Sequence, residues 1–227
     1  MEWQRLESAD TVAQAACDTI LQAAEQAISA RGGFHLVLAG GSTPAQCYRL
    51  LERSSADWQH WHIYFGDERC LPSSDPERNS RMAAEALTGK VSIPAGQIHP
   101  IPAELGAEQA ARLYTEIIRL VMPFDLVLLG MGEDGHTASL FPGQQHPQDA
   151  LVVPVHNAPK PPAERVSLTA GALGSCRQLL VLVTGPGKRQ ALREWRAGSP
   201  LPVAEIIPKG SATLLLDSDA APDPMNS

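Results

Sequence analysis

The chain has 227 residues, a formal net charge of −7 and 44% hydrophobic residues, with aromatics at only 5%. That length suits one large α/β domain or two small ones with a core of mostly Leu, Val, Ile and Ala. The acidic balance argues against nucleic acid as a partner, although a local basic cluster can still bind a small anion. No window of about 18 apolar residues marks a membrane span, and the N-terminus lacks a basic segment followed by an apolar one, as a secretory signal needs. Cys17, Cys47, Cys70 and Cys176 stand singly, without the spacing of a zinc knuckle or disulfide framework. The expectation is a soluble, reduced, cytoplasmic protein with no membrane partner.

Residues 11–30 carry apolar positions at helical spacing with many alanines and predict an amphipathic helix, ended by Arg31-Gly32-Gly33. A compact apolar run at 34–39 predicts a buried strand. Gly40-Gly41-Ser42-Thr43-Pro44 follows, then a helical pattern to Leu51, with Pro44 expected as its first residue and Thr43 as its N-cap. Residues 61–65 read as a second strand ending in Gly66-Asp67-Glu68-Arg69. A polar loop at 72–76, a helix at 77–87, a short strand at 98–101 and a helix at 107–121 come next.

The apolar stretch 124–129 predicts a buried strand, and it breaks into three glycines, Gly130, Gly132 and Gly135. Further strands are expected at 151–155 and 165–168, separated by a proline-rich loop at 156–164 and followed by a short helical stretch from Ala170. A strand at 178–183 ends in Thr184-Gly185-Pro186-Gly187-Lys188. A helix at 189–196, a strand at 212–216 and a frayed tail from Asp217 complete the chain. Strands alternating with helices predict βα units and a mainly parallel sheet. With no internal repeat and no linker, residues 1–227 are read as a single domain.

Chemistry gathers in the turns after the predicted strands. The Gly40–Pro44 turn combines backbone amides, two hydroxyls and a helix start, which suits either a phosphate cradle or an ordinary capped turn. It is neither a serine-hydrolase elbow, which needs Gly at position 44, nor a Walker loop, since no Gly-Lys-Ser/Thr follows. Gly130-x-Gly132-x-x-Gly135 matches a dinucleotide fingerprint in form only, because Pro142-Gly143 interrupts the helix that fingerprint requires.

His136 in this turn is a candidate general base and Asp134 a candidate for setting its tautomer. Asp67, Glu68 and Arg69 sit at another strand end, either as site residues or as a solvated charge run. Lys188 stands near a helix start, where the macrodipole disfavours a cation unless an anion lies in front of it. His60-x-His62 lacks the further ligands of a metal site. Together these residues suit a small phosphorylated substrate and hydrolytic or proton-transfer chemistry.

The motifs Leu38-Ala-Gly-Gly-Ser-Thr-Pro44, Gly66-Asp-Glu-Arg69, Asn79-Ser80, Gly130-Met-Gly-Glu-Asp-Gly-His-Thr-Ala-Ser-Leu-Phe-Pro142, Arg165-Val-Ser-Leu-Thr169 and Thr184-Gly-Pro-Gly-Lys188 occur in the order of a known family. Nearly the whole chain resembles the 6-phosphogluconolactonase family of the glucosamine/galactosamine-6-phosphate isomerase superfamily. The resemblance implies a Rossmann-like three-layer α/β/α sandwich, no metal and no organic cofactor. It implies hydrolysis of 6-phospho-D-glucono-1,5-lactone to 6-phosphogluconate in the oxidative pentose phosphate pathway.

By the same resemblance His136 is the base that activates water, oriented by Asp134. The phosphate lies on Gly41, Ser42 and Thr43 with Arg69 and Lys188 as charge partners, and Asp67 and Arg165 are further binding candidates. The expected partner is the small sugar-phosphate lactone, and the expected assembly a monomer or weak homo-oligomer.

The sister deaminase branch resembles the chain at Asp67-Glu68 and Asp134-Gly-His136. That branch carries a Glu seven residues after the Asp, where this chain has Phe141, and usually an aromatic where this chain has Arg69. Both departures favour the lactonase. A non-catalytic sugar-phosphate sensor is the rival of another class, disfavoured by the acidic charge, the lack of an N-terminal helix-turn-helix pattern and the presence of His136.

Overall fold

The computed structural model describes residues 1–147, 149–206, 208 and 210–222. Its centre is a six-stranded, wholly parallel sheet. In chain order its strands are β1 (Glu2–Leu6), β2 (Phe34–Leu38), β3 (Trp61–Phe65), β5 (Phe124–Gly130), β8 (Cys176–Val183) and β9 (Ser211–Asp217). Their spatial order is β1-β9-β8-β5-β2-β3. Every residue of β5 from Phe124 to Leu129 is buried, as a parallel strand covered on both faces requires.

The cover comes from helices. Helix α1 (Ala9–Arg31) turns Val12, Ala13, Ala16, Cys17, Ile20, Ala24 and Ala27 inward, and Ser8 and Thr11 form a reciprocal capping box at its start. It ends at Gly32, whose φ of 80° lies in the left-handed region that glycine tolerates. Helix α4 (Ala107–Arg119) buries Ala110, Ala111, Tyr114 and Ile118, and the Tyr114 hydroxyl accepts the Phe65 amide at 2.9 Å. Helix α6 (Arg189–Arg196) lies between β8 and β9, over the range its pattern predicts.

Several expectations are corrected. Residues Glu2–Leu6 form a strand, β1, that no sequence pattern announced: Glu2, Gln4 and Arg5 are exposed at the sheet edge, and the segment is ordered by parallel pairing with β9. Strands β4 (Asp67–Arg69), β6 (Val152–Val155) and β7 (Arg165–Leu168) form a separate antiparallel sheet in the order β4-β7-β6, not part of the parallel one. Gly66 joins the two sheets: its amide donates to Leu38 O at 3.0 Å and its carbonyl accepts from Leu168 N at 2.8 Å.

The strand expected at 98–101 reduces to a single bridge between Ile63 and Ile98. The helix expected at 77–87 is a short α3 (Asn79–Ala83) followed by a π turn (Ala84–Thr88). It starts late because the Glu68 carboxylate holds the amides of Asn79 and Ser80 at 2.8 and 2.9 Å. The segment after β9 is no frayed tail as far as it is described. Asp217, Ala220 and Ala221 are buried, and Asp217 accepts the Gly185 and Ala220 amides at 3.0 and 2.8 Å. Residues 223–227 of that expected tail lie outside the described residues.

Candidate active site

From the end of β2 the chain passes through helix α2 (Ser42–Glu52) to β3 on one side, and from β5 it proceeds to β8 on the other. The two connections diverge, and such a switch point opens a crevice at the carboxyl ends of the strands. A cleft of about 420 Å³ lies there. Of the residues nominated from sequence, it brings together Gly41, Ser42, Thr43, Asp67, Arg69, His136, Arg165 and Lys188. Asp134 sits behind His136.

The β2 turn presents a helix start. Helix α2 begins at Ser42 with Gly41, at φ 110°, as its N-cap, so Thr43 is not the cap and Pro44 is the third helical residue, not the first. The first helical bond is Ala45 N to Gly41 O at 3.0 Å, and no side chain caps this end. The amides of Ser42 and Thr43 therefore point out of the helix start without helical acceptors. The Thr43 hydroxyl instead pairs with that of Thr184 at 2.6 Å, tying this turn to the end of β8. Gly40 is required by close approach: a Cβ there would stand 2.1 Å from Asn79 Oδ1.

The β5 turn folds back on itself through Gly132 N to His136 O at 2.7 Å. This brings His136 Nδ1 to 2.5 Å from Asp134 Oδ1. The carboxylate accepts the Nδ1 proton and so leaves the Nε2 lone pair free. Burial would raise the Asp134 pKa, but the hydrogen bond and charge of His136 outweigh it and hold the carboxyl below its ordinary value. The His136 ring also leans on Phe141, centroids 4.8 Å apart.

The Asp67-Glu68-Arg69 segment divides. Glu68 is fully buried and structural: it caps α3 and lies 3.4 Å from the buried Arg78 guanidinium, which continues to Glu104 at 2.7 Å. Asp67 lines the cleft with both oxygens occupied, accepting from Asn79 Nδ2 at 2.9 Å and Ser139 Oγ at 2.5 Å. Burial raises its pKa, Glu68 adds to the rise, and the Ser139 bond, Arg165 and Arg69 oppose it. Arg69 lines the cleft while donating to Glu77 O at 2.8 Å.

Arg165 is buried over the Phe141 ring, 5.6 Å from its centroid. It donates to the carbonyls of Lys160, Pro161 and Pro162 at 2.8, 3.3 and 3.1 Å. Lys188 lies partly buried at the end of β8. Burial lowers its pKa, Glu133 opposes, Lys160 adds to the fall and Asp134 opposes.

Asn79, Phe141, Lys160 and Thr184 also line the cleft. Asn79, Phe141 and Thr184 lie inside motifs that stood out in the sequence, whereas Lys160 lies in a segment read only as loop. His60 pairs with Asp57 at 2.8 Å. His62 stacks between His35 and His99, at 4.6 and 6.1 Å. Among the described residues no three His, Cys, Asp or Glu side chains converge as metal ligands. No helix of the described residues is long and apolar enough to cross a membrane.

Residues 7–215 match the family model described as glucosamine-6-phosphate isomerases/6-phosphogluconolactonase. The chain is 35% identical to the 6-phosphogluconolactonase of Mycobacterium tuberculosis, an alignment covering 93% of this chain and 94% of that one. It is 34% identical to the chloroplastic 6-phosphogluconolactonase 3 of Arabidopsis thaliana, over 84% of this chain and 65% of that protein. The crystal structure of 6-phosphogluconolactonase from Thermotoga maritima superimposes with a TM-score of 0.89 at 30% identity, covering 96% of this chain and 99% of that one.

Proposed function

The chain belongs to the glucosamine-6-phosphate isomerase/6-phosphogluconolactonase family, as a lactone hydrolase of the pentose phosphate pathway, and from that premise we propose that His136 is the general base with which it opens 6-phospho-D-glucono-1,5-lactone. The observation that carries this reading is the Asp134–His136 pair at the cleft, with Nδ1 engaged at 2.5 Å and Nε2 left as a base. Nε2 takes a proton from water as its oxygen bonds to C1 of the lactone. The tetrahedral oxyanion then collapses, the bond from C1 to the ring oxygen breaks, and His136 returns the proton to that oxygen. The product acid ionises in solution. Asp134 holds the imidazole in one tautomer and stabilises the imidazolium between the two transfers.

Phosphate binding in this reading belongs to the exposed amides of Ser42 and Thr43 beyond Gly41, with Arg69, Lys188 and Arg165 supplying positive charge. Asp67, with both oxygens committed to Asn79 and Ser139, shapes the cleft and does not act as a base. Free Cys17, Cys47, Cys70 and Cys176 support residence in the reducing cytoplasm.

The test is turnover of freshly made phosphogluconolactone, with spontaneous opening subtracted, by the wild type and by His136→Ala, alongside binding of 6-phosphogluconate. The expected result is loss of turnover with binding retained. Wild-type hydrolysis in His136→Ala would sink the assignment, and ammonia release from glucosamine 6-phosphate would redirect it to the deaminase branch.

A further inference from the structure

Lys160 sits in the loop between β6 and β7, and its side chain lines the cleft beside Pro161. Such a loop would ordinarily leave an exposed lysine free to wander. Here the backbone is pinned. Arg165 spends Nε and Nη2 on the carbonyls of Lys160, Pro161 and Pro162 at 2.8, 3.3 and 3.1 Å, and Ala158 N closes the neck of the loop on Ala163 O at 3.0 Å. Arg165 is itself immobilised by burial over Phe141. A buried arginine therefore ties down the backbone from which the Lys160 side chain extends.

The electrostatics give that placement a purpose. Lys188 lines the same cleft from the end of β8, and the two ammonium groups are close enough that Lys160 disfavours the charge on Lys188. Among the described residues Lys160 forms no ion pair with any carboxylate of the chain, although the chain is acidic overall. Two cations turned toward one cleft repel each other when it is empty. A dianion between them converts that repulsion into two attractions.

We propose that Lys160 is a further phosphate-binding residue of this site, gripping the sugar phosphate from the β6–β7 loop while Lys188 grips it from the end of β8. The inference rests on the reading of the cleft as a sugar-phosphate site. It also gives Arg165 a second task, holding the loop through Nε and Nη2.

The experiment titrates 6-phosphogluconate and, separately, inorganic phosphate into the wild type, Lys160→Gln and Lys160→Arg by calorimetry, with lactone kinetics in parallel. Lys160→Gln is expected to weaken both ligands about ten- to a hundredfold, the range for one charge-assisted hydrogen bond. Lys160→Arg recovers most of it, and KM for the lactone rises while kcat changes little, the pattern of lost uniform binding. Unchanged affinity for both ligands in Lys160→Gln at the wild-type melting temperature would overturn the inference, as would a wild type that binds neither ligand. A wild type that binds both ligands yet leaves the lactone intact would refute the proposed function, and the same titrations would still decide the role of Lys160.

Discussion

Replacing Gly132 by Ala adds one methyl group where the Asp134–His136 pair lies against the backbone. The new Cβ would stand 2.0 Å from His136 Nδ1 and 2.6 Å from Asp134 Oδ1, against an ordinary contact of 3.4 Å or more. The imidazole must therefore retreat by at least about 1.4 Å. The turn itself has no need to open, because the Gly132 amide bond to His136 O is made by backbone alone.

A catalytic group displaced by about 1 Å costs roughly a hundredfold in rate. Gly132→Ala is therefore expected to lower kcat for the lactone by about that factor or more. Stability should change little, because His136 and Asp134 keep 19% and 41% of their side-chain surface exposed and so have room to move. The control is Gly33→Ala just before β2, at the opposite end of the strands from the cleft, where the added Cβ meets nothing nearer than 3.6 Å. The assay is lactone opening with the spontaneous rate subtracted, paired with thermal melting. A Gly132→Ala enzyme with wild-type kcat would refute the reasoning, because the clash strikes the pair on which the proposed mechanism depends.

Asp134→Asn keeps the size of the side chain but removes the charge that holds the Nδ1 proton. Steady-state kinetics should show kcat down about a hundredfold with melting almost unchanged. Glu68→Ala leaves the Arg78 guanidinium buried without one of its carboxylates and strips the cap of α3. Chemical denaturation should register a loss of about 3–5 kcal/mol, and a loss below about 1 kcal/mol would return Glu68 to the list of surface charges.

The stacked His35, His62 and His99 all titrate below the ordinary imidazole value of 6.5. Burial is the main cause at each. His62 adds to the fall at His35 and His99, while Asp125 opposes it at His35. The unfolded chain therefore takes up these protons before the folded one does. Stability is full above 6.5 and is lost as pH falls from there through the lower folded values. The melting temperature should drop as pH falls below about 6.5, and the His35→Gln/His62→Gln/His99→Gln variant should flatten that dependence.

The sequence by itself determined what depends on neighbours along the chain. The apolar run of β5 announces a strand buried on both faces, the helical spacing of 189–196 yields α6 to the residue, and the turns after β2, β3, β5 and β8 all reach the cleft. His136 and Asp134 are two residues apart, so a glycine turn alone brings them together.

Tertiary structure decided whatever depends on distant partners. β1 has no apolar pattern and exists only because β9 offers it a free edge. Glu68 and Asp67 are adjacent in the chain, yet one is sealed against Arg78 and α3 while the other faces the cleft, since β4 turns successive side chains to opposite faces. Asp217 became an anchor for Gly185 only once β8 and β9 paired. Lys160 gained a fixed position from a guanidinium five residues later, buried by packing on Phe141. Hydrophobic period and turn chemistry are local and can be read in order along the chain. Which strand ends meet, and which charges are buried when they do, follows from pairing and packing between segments far apart in sequence.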